Sequence, residues 1–550
     1  MGEIAARRQR LCRRHGIGFS RKSMRPVHEK TPRGMKIVQK GLREAAQAKN
    51  ILIPLFKNQT LEKEDFFSFL AAGQKKIIRA YAKADFRGNE EEIKSFRLPF
   101  GRPERIVLLG LGERAKWHER KIPLVARRMV RYAKNERIEE FTILLSPSHF
   151  QTKSGGDIPY LVWNTQKATR IFAENALMAQ FEFNRYKTKP KGGWHEIKNI
   201  FIATEEKDKK EIEVGIREGM IVGEEVNQTR NLANTPGSDM TPVILAAAAV
   251  AAGKSAGFKV RVLAETEIRR LGMGGVLGVS RGSPEKRKFI ICEYLHGPKT
   301  QKPLVLAGKG VTFDTGGINL KPGQYMYEMH MDMSGGAAVI HGIAAIARLK
   351  LPINVVGLVP AVENMPSGSS YRPGDLLKAL NGKIIEVLDT DAEGRVILAD
   401  ALAYALRYKP GLIADFATLT GAAHVALGNY CSAVFTNREY LQEKFIAIGK
   451  NSGDYVWPLP LWDEYLADIK GTFGDLTNVG KTDRYGGAIH GAKFLEQFVD
   501  KTPWAHFDIA PRMTTHEGEY LAKGASGVGV RYIVELARQY AAKEKPLIAS

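Results

Sequence analysis

The feature that most constrains this chain is a rhythm in its C-terminal part. Pro303 to Ala307, Asn354 to Val359, Ile384 to Leu388 and Leu412 to Ala417 are short apolar runs, separated by stretches such as Gly335 to Leu349 whose small residues suit helices. Runs this short fit strands covered on both faces, and strands alternating with helices build a doubly wound α/β sheet. In such folds functional groups gather past the carboxyl ends of the strands. The charged motifs of this sequence stand at those places.

At 550 residues the chain exceeds one ordinary core, so more than one domain is expected. Ahead of the C-terminal pattern, Ile51 to Phe56, Arg105 to Gly110 and Phe141 to Ser146 alternate with polar helical stretches, a second α/β pattern. A charged segment from Glu205 leads into a helical pattern reaching Leu232, which Pro236 and Gly237 end. The fold class expected is therefore α/β with two domains. Residues 35–208 form a smaller N-terminal α/β domain, and 209–550 a larger doubly wound one. Residues 1–34 read as a basic, disordered extension, with an organelle transit peptide and a true translation start at Met35 as the other readings.

Composition narrows the function classes. A hydrophobic fraction of 44% and a charged fraction of 26% are those of a soluble globular protein. The longest apolar run, Ile244 to Ala252, is too short to span a membrane and reads as a buried helix. Cys12, Cys292 and Cys431 are too widely spaced for a zinc knuckle or disulfide framework, so a reducing compartment is expected. Residues 1–34 carry 10 Lys and Arg against 2 acids, residues 35–208 carry 33 against 21, and residues 209–550 carry 39 against 36. The positive excess of the N-terminal part could serve DNA binding, the competing functional reading. Lysines scattered over a solvated face account for it better.

Four acids carry the chemistry. After the run PLVLA comes GKGVTFDTGGINLKP, which places Lys309, Asp314 and Lys321 in glycine-flanked loops without the spacing of a phosphate-binding loop. Asp332, in MHMDMSGG, opens an apolar helix, where an aspartate taken alone suits an N-cap. Asp391 and Glu393 stand in DTDAEGRVILADAL, where Thr390 and Glu393 also match a capping box. Gathered into one crevice, four carboxylates would repel and raise one another's pKa unless cations neutralised them. Divalent ions do this economically, and oxygen-dominated ligation without histidine favours Mg²⁺, Mn²⁺ or Zn²⁺.

The blocks GKGVTFDTGG, INLKP, DMSGGAA, ENMPSGSSYRPGD and DTDAEGRVILADAL, in this order, resemble the leucyl aminopeptidase family of dinuclear metallopeptidases, the cytosol aminopeptidases. The resemblance covers residues 209–550, from NLANTPGSDMTP to WAHFDIAPRM; residues 35–208 match the family's N-terminal domain in size and position. It implies a catalytic domain holding two divalent metal ions, Mn²⁺ or Zn²⁺. One would sit on Asp314, Asp391 and Glu393, the other on Lys309, Asp314, Asp332 and Glu393. Lys321 would stabilise the oxyanion, and Arg395 would hold a bicarbonate acting as general base. Met329, Thr418, Gly421, Ala510 and Met513 would form an apolar pocket for a leucine-like first residue. Peptides with a free N-terminus, a homohexamer and a cytoplasmic location are implied in the same way. Two departures stand out: Asp389 replaces the family's usual Asn, and His330 lies near a position commonly held by lysine. A lone histidine beside an apolar helix is more often structural, and His330 is not assigned as a ligand.

Overall fold

In the N-terminal part, strands β1 (Lys36–Gly41), β2 (Asn50–Leu55), β3 (Ile93–Arg97), β4 (Arg105–Gly110), β5 (Glu140–Leu144) and β6 (Asn199–Thr204) form one sheet, in the order β1-β6-β5-β2-β4-β3. These elements come from a computed structural model that describes residues 34–59, 65–118, 120–144, 164–482, 485–542 and 547. Neighbouring strands are parallel except β3, which runs antiparallel to β4 at the edge. Ile51, Leu52 and Ile53 are all buried, which is why β2 reads as a continuous apolar run rather than an alternation. The strand expected at Phe141 to Ser146 is present as far as the described residues reach, to Leu144, and residues 145–163 lie outside them. So do residues 1–33 of the basic extension.

The C-terminal part adds β7 (Lys259–Leu263), β8 (Lys288–Leu295), β9 (Leu304–Gly308), β10 (Gly310–Asp314), β11 (Asn354–Asn364), β12 (Leu376–Lys378), β13 (Ile384–Glu386), β14 (Leu412–Ala417), β15 (Ser432–Thr436), β16 (Val456–Pro458), β17 (Leu476–Thr477) and β18 (Trp504–Asp508). Its main sheet has the order β16-β15-β18-β14-β9-β11-β8-β7, with β10 also pairing β11. The centre, β18-β14-β9-β11, is parallel, and β7, β8 and β15 bring antiparallel pairs toward the edges. Helices cover both faces. Gly357 on β11 lies under Val339 and Ile343 of the helix Ser334–Arg348, whereas its neighbours Val356 and Leu358 join the core beneath Val396, Ile397 and Leu398 of the helix Glu393–Ala405.

Two strands differ from the sequence expectation. β11 continues past Val359 to Asn364 because β10 takes up the pairing, with Gly310 to Asp314 opposite Ala361 to Asn364. Ile384 to Leu388 is not part of the main sheet; its strand, β13, ends at Glu386 and sits in a separate three-stranded sheet, β12-β13-β17. No helix among the described residues is long and apolar enough to cross a membrane.

The two α/β parts meet through the helices Thr165–Gln180 and Lys209–Asn234. Gly215, Gly219 and Gly223, four residues apart, form a stripe along the second helix. A Cβ at these positions would lie 2.4, 2.2 and 2.8 Å from the carbonyl oxygens of Gln166, Arg170 and Glu174. Buried ion pairs reinforce the seam, Arg170 with Glu535 at 3.4 Å and Arg531 with Glu174 at 3.6 Å. Gly219→Ala should therefore force the two helices apart and lower the unfolding free energy by about 1–3 kcal/mol, the usual cost of overpacking. Urea unfolding of the variant beside the parent protein measures this; an unchanged midpoint would show that the contact yields without cost.

Candidate metal centre

The main parallel strand breaks at Lys309, between β9 and β10. The residue keeps its place in the sheet, since its N–H donates to Phe416 O at 3.0 Å and its carbonyl accepts from Gly336 N at 2.7 Å. Its neighbours have to be glycine. A Cβ on Gly308 would stand 2.5 Å from Gly335 O, and one on Gly310 would stand 2.6 Å from Pro360 O. Gly394 leaves room for the lysine side chain, because a Cβ there would lie 2.5 Å from Lys309 Cε. The ammonium so delivered lies 2.8 Å from Asp332 Oδ2, 2.8 Å from Glu393 Oε1 and 2.9 Å from Thr418 O.

The remaining acids converge from separate elements. Asp314 ends β10; its Oδ1 accepts from Gly316 N at 2.8 Å and from Asn364 Nδ2 at 2.9 Å, while its Oδ2 lies 2.9 Å from Lys321 Nζ. Lys321 also reaches Asp391 Oδ1 at 2.5 Å. Asp332 follows the 3₁₀ turn Met329–Met331 and accepts the Thr418 hydroxyl at 2.6 Å. Oxygens of Asp314, Asp332 and Glu393 all lie within 4.8 Å of one another, and the three residues are buried.

Both capping expectations are overturned. The helix Ser334–Arg348 has Met333 at its N-cap with no side-chain cap, because the Asp332 carboxylate is turned toward Thr418 and Lys309. The helix Glu393–Ala405 begins at Glu393 with Ala392 at the N-cap. Thr390 is too far ahead to cap it and uses its hydroxyl elsewhere, donating to Gly316 O at 2.6 Å and accepting from Asn319 N at 2.9 Å.

Charge balance decides what the cluster can hold. Glu393 Oε2 is buried without a hydrogen-bond partner, and Glu393 Oε1, Asp332 Oδ2 and Asp391 Oδ1 are buried with only lysine ammoniums beside them. Buried carboxylate oxygens left in this state are costly unless a cation compensates them. The donor set of carboxylate oxygens and one amine therefore fits divalent ions such as Mn²⁺ or Zn²⁺. Burial, with Asp314 adding repulsion, pushes Asp391 up to about 7 and also raises Glu393. Burial opposes the charge on Lys309, but Asp332, Glu393 and Asp314 outweigh it and raise its pKa. Ligation through this amine thus requires the loss of a well-held proton.

Arg395 lies buried in the first turn of the helix Glu393–Ala405, with Nη1 donating to Asn478 O at 2.9 Å and Nε without a partner. Of the residues expected to line the substrate pocket, Thr418 follows β14 and Gly421 begins the helix Gly421–Leu427. Ala510 and Met513 bracket the turn after β18, and Met329 stands three positions before Asp332. Asp508 ties two of these loops together: its Oδ1 accepts from Leu419 N at 3.1 Å and Ala510 N at 3.2 Å, and its Oδ2 accepts the Thr420 hydroxyl at 2.7 Å. Thr418 is buried, with its hydroxyl committed to Asp332. His330 is half-buried and lies outside the acid group.

Sequence reasoning overlooked Asn364, Asp508 and Asn478. Asn364 donates to Asp314 and, at 2.9 Å, to Thr390 O, joining the loops that carry Asp314 and Asp391. The available signal was positional: Asn364 and Asp508 are polar residues at the carboxyl ends of buried parallel strands.

The geometry agrees with the relatives of this chain. Residues 227–534 match the catalytic domain of the cytosol aminopeptidase family, and residues 52–190 match that family's N-terminal domain. A probable cytosol aminopeptidase of Syntrophotalea carbinolica is 40% identical over 459 residues, covering 82% of this chain and 90% of the relative. One from Chlorobaculum tepidum is 40% identical over 504 residues, covering 88% and 96%. Among solved structures, the bottromycin maturation enzyme BotP in complex with Mn superposes with a TM-score of 0.76 at 28% identity, covering 90% of this chain and 100% of that one. With both domain models matched in order and the acid cluster at the strand ends, this chain belongs to the cytosol aminopeptidase family of peptide hydrolases.

Proposed function

We propose that this enzyme releases N-terminal residues, preferentially leucine-like ones, from peptides with a free amino terminus, using two divalent ions. The observation that carries the reading is Glu393, buried with Oε2 lacking any hydrogen-bond partner and Oε1 beside only the Lys309 ammonium at 2.8 Å, in one group with Asp314 and Asp332. One ion is assigned to Asp314, Asp391 and Glu393, and the other to Lys309, Asp314, Asp332 and Glu393, with Mn²⁺ or Zn²⁺ as the candidates. Such ions supply Lewis-acid polarisation of the scissile carbonyl and activation of water.

The chain's own groups supply the rest. Lys321 carries positive charge to the edge of the cluster, where it is suited to stabilise the oxyanion of the tetrahedral intermediate. Arg395, buried with an unpartnered Nε, is suited to hold a bicarbonate ion as general base. Met329, Thr418, Gly421, Ala510 and Met513 are assigned to the first-residue pocket, whose methionines can adapt to several apolar side chains. A homohexamer in the cytoplasm completes the proposal, on the family's precedent.

Leucine p-nitroanilide should be cleaved and its N-acetylated analogue should not, with chelators abolishing the activity and Mn²⁺ or Zn²⁺ restoring it. Equal turnover of the acetylated compound would sink the free-amine requirement. Lys321→Ala should lower kcat by roughly 10²–10³, the scale of losing one oxyanion donor, while metal content measured on the same sample stays at the parent level. Loss of bound metal in that variant would move Lys321 from the reaction to the metal site.

A further inference from the structure

Asn478 is fully buried and follows β17, which pairs in parallel with β13 through Ile385 with Leu476 and Glu386 with Thr477. That pairing ends where the chain turns toward Asp391. The Asn478 N–H first donates to Glu386 O at 3.1 Å. Its side chain then prolongs the pairing: Oδ1 accepts from Leu388 N at 2.8 Å and Asp389 N at 3.3 Å, and Nδ2 donates to Asp389 O at 2.5 Å. A single amide thus satisfies three backbone groups of the two residues before Thr390.

The held segment is coupled to the centre on both sides. Asp389 Oδ1 accepts from Asp391 N at 2.8 Å, so fixing Asp389 fixes the start of the Asp391 arm. Meanwhile the main-chain carbonyl of Asn478 receives Arg395 Nη1 at 2.9 Å. With Nε unpartnered, this bond is what orients the guanidinium among the described residues. An alanine at 478 would keep the carbonyl but free it to move, and would leave the N–H groups of Leu388 and Asp389 without their acceptor.

We infer that Asn478 is a positioning residue that holds Arg395 through its main-chain carbonyl and the Asp391 arm through its side-chain amide, so that the anion site and the metal site are set by the same residue. The inference rests on the assignment of Arg395 to an anion and of Asp391 to a metal. Supporting residues of this kind typically change metal affinity or activity by about 10–100-fold when removed.

The test uses full-length protein and two variants, Asn478→Ala and Asn478→Ser, with Arg395→Ala as reference. Metal-stripped samples are titrated with Mn²⁺ by calorimetry. Reloaded samples are assayed on leucine p-nitroanilide across a bicarbonate series. Asn478→Ala should bind Mn²⁺ roughly 10–100-fold more weakly and need more bicarbonate for half-maximal stimulation, with kcat falling more than KM rises. Asn478→Ser adds no charge and keeps a hydroxyl able to make one of the three bonds, so it should fall between parent and alanine in both readouts. It also provides the test should the alanine variant fail to fold. A folded variant in which Mn²⁺ affinity and bicarbonate response both match the parent, or in which only one of them moves, would overturn the inference that one residue sets both. Should Arg395→Ala itself respond to bicarbonate as the parent does, the arginine assignment fails instead, whatever the asparagine variants do.

Discussion

The centre depends on bringing several charges of both signs into the protein interior at once. Isolated, each buried carboxylate would cost several kcal/mol, and so would each buried ammonium. Here Lys309 stands among Asp332 and Glu393, and Lys321 between Asp314 and Asp391, so that two cations are shared among four acids. The sharing works only if a lysine can pass between a strand and a helix that are already in contact. Gly308, Gly310 and Gly394 meet that condition, and a Cβ at any of them would collide with backbone or with Lys309 itself. The glycines of GKG and DAEGR are therefore as much a part of the centre as its charged residues.

Neutral groups then keep the acids in place. Asn364 holds Asp314 and the Thr390 carbonyl, Thr418 holds Asp332, and the Tyr371 hydroxyl donates to Thr390 O at 2.6 Å. Each of these comes from a different strand end or loop. The carboxylates are thus aimed by the fold rather than by one another, which they would repel. A divalent ion entering such a site meets groups already oriented, and little of its binding energy is lost to ordering them.

Much of this could be read from sequence, and the part that could not has a common cause. The strands β4, β9 and β14 lie within a residue of where apolar runs placed them, because buried parallel strands leave continuous hydrophobic runs. Lys309, Asp314 and Lys321 stand out because a glycine-rich, charged loop after such a run is unusual, and the resemblance of the motifs to the family joins the four acids into one site. What failed were inferences from local spacing. Thr390 with Glu393 has the spacing of a capping box, yet the hydroxyl is claimed by Gly316 and Asn319, about seventy residues earlier in the chain. Asp332 has the position of an N-cap, yet it is claimed by Thr418 and Lys309. Ile384 to Leu388 has the composition of a sheet strand, yet its partners are β12 and β17. In each case a contact distant in sequence decided among locally equivalent options, and Asn478, Asn364 and Asp508 went unnoticed for the same reason.

The cluster is also asymmetric, which bears on how a substrate would reach it. The side chains of Lys309, Asp314, Asp332 and Glu393 are 5%, 2%, 4% and 1% exposed, whereas Lys321 is 15% and Asp391 35% exposed. The closed side is sealed by the sheet and by the helices that start at Ser334 and Glu393. The open side is the one bordered by Lys321 and Asp391. Charge developing on a reacting carbonyl is best met by a cation that stands on the approach side, is tethered by acids and still touches solvent. Of the two lysines, only Lys321 satisfies all three conditions, while Lys309 is buried against Asp332, Glu393 and the Thr418 carbonyl. The break between β9 and β10 and the loop after β10 thus present two lysines in unlike environments, one enclosed in the acid cluster and one at its open edge.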